Sequence, residues 1–313
     1  MPVTELALSD AVLLAHTLVA RAGEESDVRL LFIKGPAAVQ QGLRKPRSSV
    51  DVDALVDPAR RHLLMARLAE LGWVDEHPYT SPTILPMHSL ACRNDAWPCE
   101  LDIHDRFPGL FAEHQVVFER LWSRRVSIRL AAQEVPVADP AAHVLVLALN
   151  CLKEIHLSSR ASELGQLEEW AREHLDEAEL RDLSELAGDL RATETCEDFL
   201  RAIGAPESGR GSLTAKERRD WLLLVRPSDT TAVSWVEELR RLPPSAWPRY
   251  LWYAAWLSEV ELRLAEPSLP PGRRALVGAR MRRLRRGLRA LPAALRNVRG
   301  VSREMRDSDV RPG

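Results

Sequence analysis

Cysteine is scarce in this 313-residue chain: Cys92, Cys99, Cys151 and Cys196 are the four, and no two form a Cys-x-x-Cys pair. Such spacing supplies no disulfide framework, and the expected setting is the reduced cytoplasm. No apolar run approaches the roughly 20 residues of a membrane-spanning helix. The stretch 1–10 carries Glu5 and Asp10 and no basic segment, so no secretory signal is expected. A net charge of −2 provides no global field for nucleic acid or acidic ligands. Lysine is nearly absent: Lys34, Lys45, Lys153 and Lys216 stand among 43 basic residues. In a chain that otherwise uses arginine, a lysine abutting a glycine turn suits a phosphate by its compact ammonium. Chance is the competing explanation.

The informative stretch runs from Leu30 to Val56. Two apolar runs that read as strands flank a segment able to hold a short helix. The first run ends in Lys34-Gly35, and Gly35 permits a tight turn and a close approach of backbone to a ligand. Pro36 suits the first position of a helix through about Leu43. The second run carries Asp51 and Asp53, which a strand places on one face about 7 Å apart at Cα. Val50, Val52 and Ala54 are then expected to point into the core. Two adjacent carboxylates repel, and a divalent cation between them would remove the repulsion.

Lys34-Gly35, Arg47 and the run Asp51-Val52-Asp53-Ala54-Leu55-Val56 together resemble the nucleotidyltransferase superfamily (the DNA polymerase beta-like group). They are most similar to its branch of uncharacterised bacterial nucleotidyltransferases, with a Lys-Gly … Arg … Asp-Ile-Asp-Leu-Leu-Val signature. Better-known members open with Gly-Ser, and this chain departs from them there. The resemblance spans roughly residues 28 to 175, and the ordered set is more specific than a bare Asp-x-Asp. It implies transfer of an NMP group from an NTP to an acceptor hydroxyl or side chain. Mg²⁺ or Mn²⁺ ions would clamp the attacking and leaving oxygens.

The resemblance also implies roles. Asp51 and Asp53 would be the shared metal ligands. A third carboxylate is expected on the strand beside theirs, just before Leu/Ile-His; Asp102 in Asp102-Ile103-His104 matches best, and Glu100 competes. An ordinary edge strand with a solvated polar face is the plain alternative. Lys34, Gly35 and Arg47 would meet the phosphates. The family's helix after the strands carries His and Lys residues facing the nucleotide, and this chain offers His143, Lys153 and His156 there; Lys153 would be a second triphosphate contact, against the reading of a solvated helix lysine. Glu168 or Glu169 would replace an aspartate found on a later helix of the family. His77 and His88 are left without a role. The acceptor is not legible: a small molecule, a peptide or protein, or an RNA end would each leave this core unchanged. A non-catalytic binding or scaffold protein in a biosynthetic assembly is the alternative function.

The expected fold is α+β: a small mixed-sheet core with flanking helices over residues 1–138, then an all-helical domain over 139–266. A single strand is expected over Val126–Val137, and a helix over Trp247–Leu264. The tryptophans 221, 235, 247, 252 and 256 are expected in the core. The segment 267–303 holds eleven arginines and no acid. There Val277, Met281, Leu284, Leu288, Leu291, Leu295 and Val298 form a heptad stripe. The segment 267–313 is therefore expected to carry an Arg-rich amphipathic helix with a buried stripe, kinked or ended by Pro292. An anionic partner would suit its exposed arginines.

Overall fold

Seven strands form one mixed sheet in the order β3-β4-β5-β2-β1-β7-β6 in the computed structural model. It describes residues 6–75, 89–207, 212–226, 230–266 and 269–310. The strands are β1 (Leu30–Phe32), β2 (Asp51–Val56), β3 (Val74–Asp75), β4 (Ser89–Arg93), β5 (Glu100–His104), β6 (Arg125–Leu130) and β7 (Gln133–Ala138). Helices α1 (Leu8–Glu25), α2 (Gly35–Gln40), α3 (Arg61–Glu70) and α4 (His114–Ser123) are interspersed among them. From α5 (Pro140–Leu152) onward the described chain is helical: α6 (Ser158–His174), α7 (Glu177–Asp189), α8 (Glu197–Ala202), α9 (Ala215–Val225), α10 (Thr230–Arg241), α11 (Trp247–Ala255), α12 (Glu259–Ala265) and α13 (Arg273–Val310). The fold is α+β. It divides into two compact units, the first closing at Leu213 and the second opening at Thr214. His77 and His88 lie outside the described residues.

The first unit is built around β2. This strand pairs antiparallel with β1 and parallel with β5, so it lies inside the sheet. Helix α1 lays Ala11, Val12, Ala15 and Val19 on one face, where they join Phe32, Val52, Ala54, Val56 and Val137 in a single core. The spacing of these helix residues, at steps of one, three and four, is what makes that face apolar. Helix α5 is apolar apart from His143 and Asn150 and is buried throughout, from Ala141 to Cys151. Asp139 caps it by accepting the Ala142 N–H at 2.8 Å.

Several expectations need correcting. Val50 does not enter the core; it is 62% exposed, because β2 begins only at Asp51. The single strand over 126–137 is a hairpin of β6 and β7, turned at Ala131 and Ala132 with φ of 43° and 69°. Such a turn usually carries Asn or Gly, so an Ala-Ala pair gives no warning. The helix over 247–264 is two helices, broken between Ala255 and Glu259 where Ser258 caps α12. Trp221 is buried, but Trp247, Trp252 and Trp256 are exposed.

The second unit's long helix also departs from expectation. α13 runs on through Pro292. The carbonyl that Pro292 leaves without an N–H belongs to Leu288, a residue that is 60% exposed rather than packed in the core. The heptad stripe is not buried: Val277, Met281, Leu284, Leu288, Leu291 and Leu295 are all exposed, and only Val298 is covered. The helix docks instead by Leu276 and Ala279 at one end and by Ala294, Val298 and Val301 at the other.

Candidate active site

The parallel register of β2 and β5 sets Asp53 directly opposite Asp102, and Asp51 opposite Glu100. Of the two candidates on β5, Glu100 turns outward: its side chain is 56% exposed, with Arg93 at 3.9 Å. Asp102 instead shares His104 with Asp53. The His104 Nε2 lies 3.0 Å from Asp53 Oδ1 and 3.2 Å from Asp102 Oδ2, and the ring is buried. Burial alone would discharge this imidazole, but its bonds to Asp102 and Asp53 outweigh burial and raise its pKa. The two carboxylates are shifted the other way. Burial disfavours their ionisation; Lys34 and His104 at Asp53, and chiefly His104 at Asp102, overcome it and hold both below the ordinary range.

Asp53, Asp102 and His104 bring one ligand atom each within 4.8 Å of the others. Asp51 lies beside this cluster, accepting from Ser49 Oγ at 3.2 Å. Its pKa is raised, first by burial and then by the neighbouring Asp53 charge.

Lys34 completes the group. Its Nζ lies 2.5 Å from Asp53 Oδ1 and 5.5 Å above the Phe107 ring. The repulsion between the strand's carboxylates is therefore offset by the Lys34 ammonium and by the hydrogen bonds of His104, and the pair does not by itself demand a metal. Three carboxylates nevertheless face one ammonium and one imidazole, which leaves net negative charge at the cluster. Those carboxylates are hard oxygen donors, the donor set that Mg²⁺ takes, so the residues present fit a divalent ion.

The backbone that delivers Lys34 is unusual. Lys34 sits at φ 66° and Gly35 at φ 48°, and only glycine occupies that region without strain. A part-buried chain of bonds holds the lysine there. The Lys34 N–H donates to His143 Nε2 at 3.0 Å, and His143 Nδ1–H donates to Gln41 Oε1 at 2.5 Å. Gln41 Nε2 in turn donates to the Ala138 carbonyl at 2.8 Å. His143 must be neutral to accept from an amide, and burial, helped by Arg44, pushes its pKa down to about 3. A Cβ at Gly35 would come to 3.4 Å from Ser49 Oγ, so the turn passes close to the residue that holds Asp51.

Lys153 caps the C-terminal end of α5; burial and then the nearby Lys34 charge lower its pKa. Arg47, half exposed, reaches Glu163 at 3.3 Å. Arg44 donates to the same carboxylate at 2.5 Å through Nε, and Arg160 meets it at 3.3 Å. Arg160 also pairs with Glu154 at 2.9 Å.

Sequence reasoning missed Glu163 and looked to Glu168 and Glu169, neither of which is buried. A signal was there: Glu163, Leu167 and Ala171 follow at steps of four on the buried face of α6. His143, expected from the resemblance to face the nucleotide, instead has both ring nitrogens engaged, by the Lys34 N–H and by Gln41.

The model of a family described as "uncharacterised nucleotidyltransferase" matches residues 8–202. No curated protein matches the chain. Among solved structures, an antigenic nucleotidyltransferase-like protein from Paracoccidioides brasiliensis is 14% identical, with 64% of this chain and 95% of that one covered and a TM-score of 0.40. A lincomycin-bound lincosamide antibiotic adenylyltransferase is 17% identical, with 50% and 94% covered and a TM-score of 0.34. A tRNA-processing enzyme is 12% identical, with 91% and 92% covered and a TM-score of 0.26. Likenesses this distant do not bear on this chain's acceptor.

Proposed function

We propose, from the premise that this chain belongs to the uncharacterised nucleotidyltransferase family, that it moves an NMP group from an NTP to an acceptor hydroxyl or side chain and releases pyrophosphate. The observation that carries this reading is the pairing of Asp53 with Asp102 across parallel strands, with Lys34 at the same carboxylate. Asp51, Asp53 and Asp102 would hold Mg²⁺ or Mn²⁺. When bound, such ions neutralise the phosphate oxygens and the charge that develops on the leaving group.

The chain's own residues do the rest. Gly35 lets the backbone approach the triphosphate where a side chain would obstruct it. Lys34 and Lys153 place ammonium groups along the phosphates, and Arg47 adds a guanidinium from the solvent side. His104 keeps Asp53 and Asp102 in fixed orientation and ionised. Asp102 is the carboxylate placed to orient the acceptor's proton. The acceptor would be a small molecule, a peptide or a protein.

One observation favours a second reading. Lys34 and His104 engage Asp53 and offset part of the carboxylate charge without a metal, as a non-catalytic binding or scaffold domain would require. Thermal denaturation with NTP and Mg²⁺ separates the two. Catalysis predicts stabilisation that needs both NTP and metal together and is lost in Asp53→Asn. A melting temperature indifferent to the metal favours the scaffold.

A further inference from the structure

The stretch of α13 from residue 280 to 293 contains no buried residue, although Met281, Leu284, Leu288 and Leu291 lie on it. Exposed leucines repeated along one helix face mark an interaction surface. They do not stand on a flat surface. An apolar groove of about 290 Å³ runs between α10 and α13, its floor made by Val236, Leu239, Leu251, Leu284, Leu288 and Leu291. Arg283 and Arg286 edge it, and Arg285 and Arg289 continue the basic rim with Arg286. Arg282 is engaged by Glu266 at 2.8 Å. Arg285, Arg286 and Arg289 make no ion pair among the described residues.

We infer that this groove docks an acidic amphipathic helix of a partner protein, its apolar residues at i, i+3/i+4 and i+7 entering the floor and its flanking Asp or Glu meeting Arg285, Arg286 and Arg289. Charge complementarity selects this occupant. A second copy of the chain would set its own stripe, which has no acid between residues 267 and 303, against the same arginines. Like charges across an interface oppose such pairing. RNA would match the arginines but not the floor, because single strands need open aromatic faces for stacking. The floor is aliphatic, and Trp235 at its side packs on Tyr250 with ring centroids 4.7 Å apart. A bilayer surface is flat and would touch the rim while leaving the concave floor empty. The aliphatic floor gives affinity and the arginine rim gives orientation, steering and salt dependence.

The test uses the full chain and a fluorescein-labelled synthetic helix of roughly 18 residues, five turns, with leucines at i, i+3/i+4 and i+7 and glutamates flanking them. Fluorescence anisotropy reads binding. The expected result is micromolar binding that weakens as salt rises and is at least about tenfold weaker for a scrambled peptide without the stripe. Leu288→Asp, a change at an exposed position, should keep the thermal melt and lose at least about tenfold in affinity. The double variant Arg285→Glu/Arg289→Glu should lose the glutamate peptide and gain its lysine counterpart. Absence of binding by the glutamate peptide would overturn the proposal, as would Leu288→Asp binding like wild type. Binding of single-stranded RNA or phosphatidylglycerol vesicles without peptide binding would overturn it too and assign the surface to that class.

Discussion

The backbone N–H of Lys34 donates to Nε2 of His143 at 3.0 Å across 109 residues of chain. One residue lies just beyond β1, at the start of α2, and the other inside α5, so the bond ties the β1–α2 turn to the helix that follows the last strand. It also holds Lys34 in a backbone conformation that non-glycine residues avoid, with its ammonium on Asp53. His143→Ala removes the acceptor and leaves a part-buried amide unsatisfied. It should cost about 1–3 kcal/mol of stability and raise the KM for NTP, as Lys34 loses its fixed position. His143→Gln, which can accept from Lys34 and donate to Gln41, should restore most of both. Denaturant melts and initial rates check it.

His143 also sets a pH dependence. Its pKa is about 3 in the folded protein against 6.5 for an ordinary histidine. Between these values the unfolded chain binds the proton and the folded protein does not, so stability rises with pH across that window. The contribution is fully present above about pH 6.5 and is lost progressively as pH falls toward 3. His143→Gln should therefore show a shallower loss of stability than wild type between pH 6.5 and 4.5, measured as the difference between the two urea midpoints at each pH.

Glu163 and Arg47 should behave very differently on truncation. Glu163 and Arg44 are both buried, with side-chain exposures of 9% and 7%, whereas Arg47 is 51% exposed. Glu163→Ala leaves Arg44 as an uncompensated buried charge and should cost about 3–5 kcal/mol. Arg47→Ala should cost under about 1 kcal/mol yet raise the KM for NTP. Chemical denaturation and a KM measurement on the two variants decide this.

The strands that carry chemistry were legible because strand periodicity is two and the chemistry sits on it. Asp51 and Asp53 alternate with Val52 and Ala54, and Asp102 and His104 alternate with Leu101 and Ile103. The choice between Glu100 and Asp102 was legible only through likeness, since alternation puts both on one face; the parallel register and the exposure of Glu100 separate them in space. Lys34's hold on Asp53 and its bond to His143 join residues remote in sequence, and no local pattern announces them. The hairpin at Ala131–Ala132 was hidden because the tertiary structure enforces a turn its residues do not favour. The stripe on α13 was read correctly as a stripe but wrongly as buried, because periodicity identifies a face and not what covers it.

Loss of a carboxylate should separate chemistry from folding. Asp51→Asn and Asp53→Asn are each expected to reduce transfer on the order of a thousandfold or more, about 4 kcal/mol of transition-state stabilisation. Both variants should keep a wild-type circular dichroism spectrum. Near-normal transfer by either would remove that carboxylate from the metal clamp.

The most direct measurement follows the label. The wild-type protein is incubated with Mg²⁺ or Mn²⁺, a cell extract as acceptor source, and NTP labelled either at the α- or at the γ-phosphorus. The account predicts that α-label becomes covalently attached to an acceptor while γ-label leaves as pyrophosphate, and that Asp53→Asn abolishes the attachment. Attachment of γ-label, or equal α-labelling by wild type and Asp53→Asn, would contradict nucleotidyl transfer at this carboxylate site.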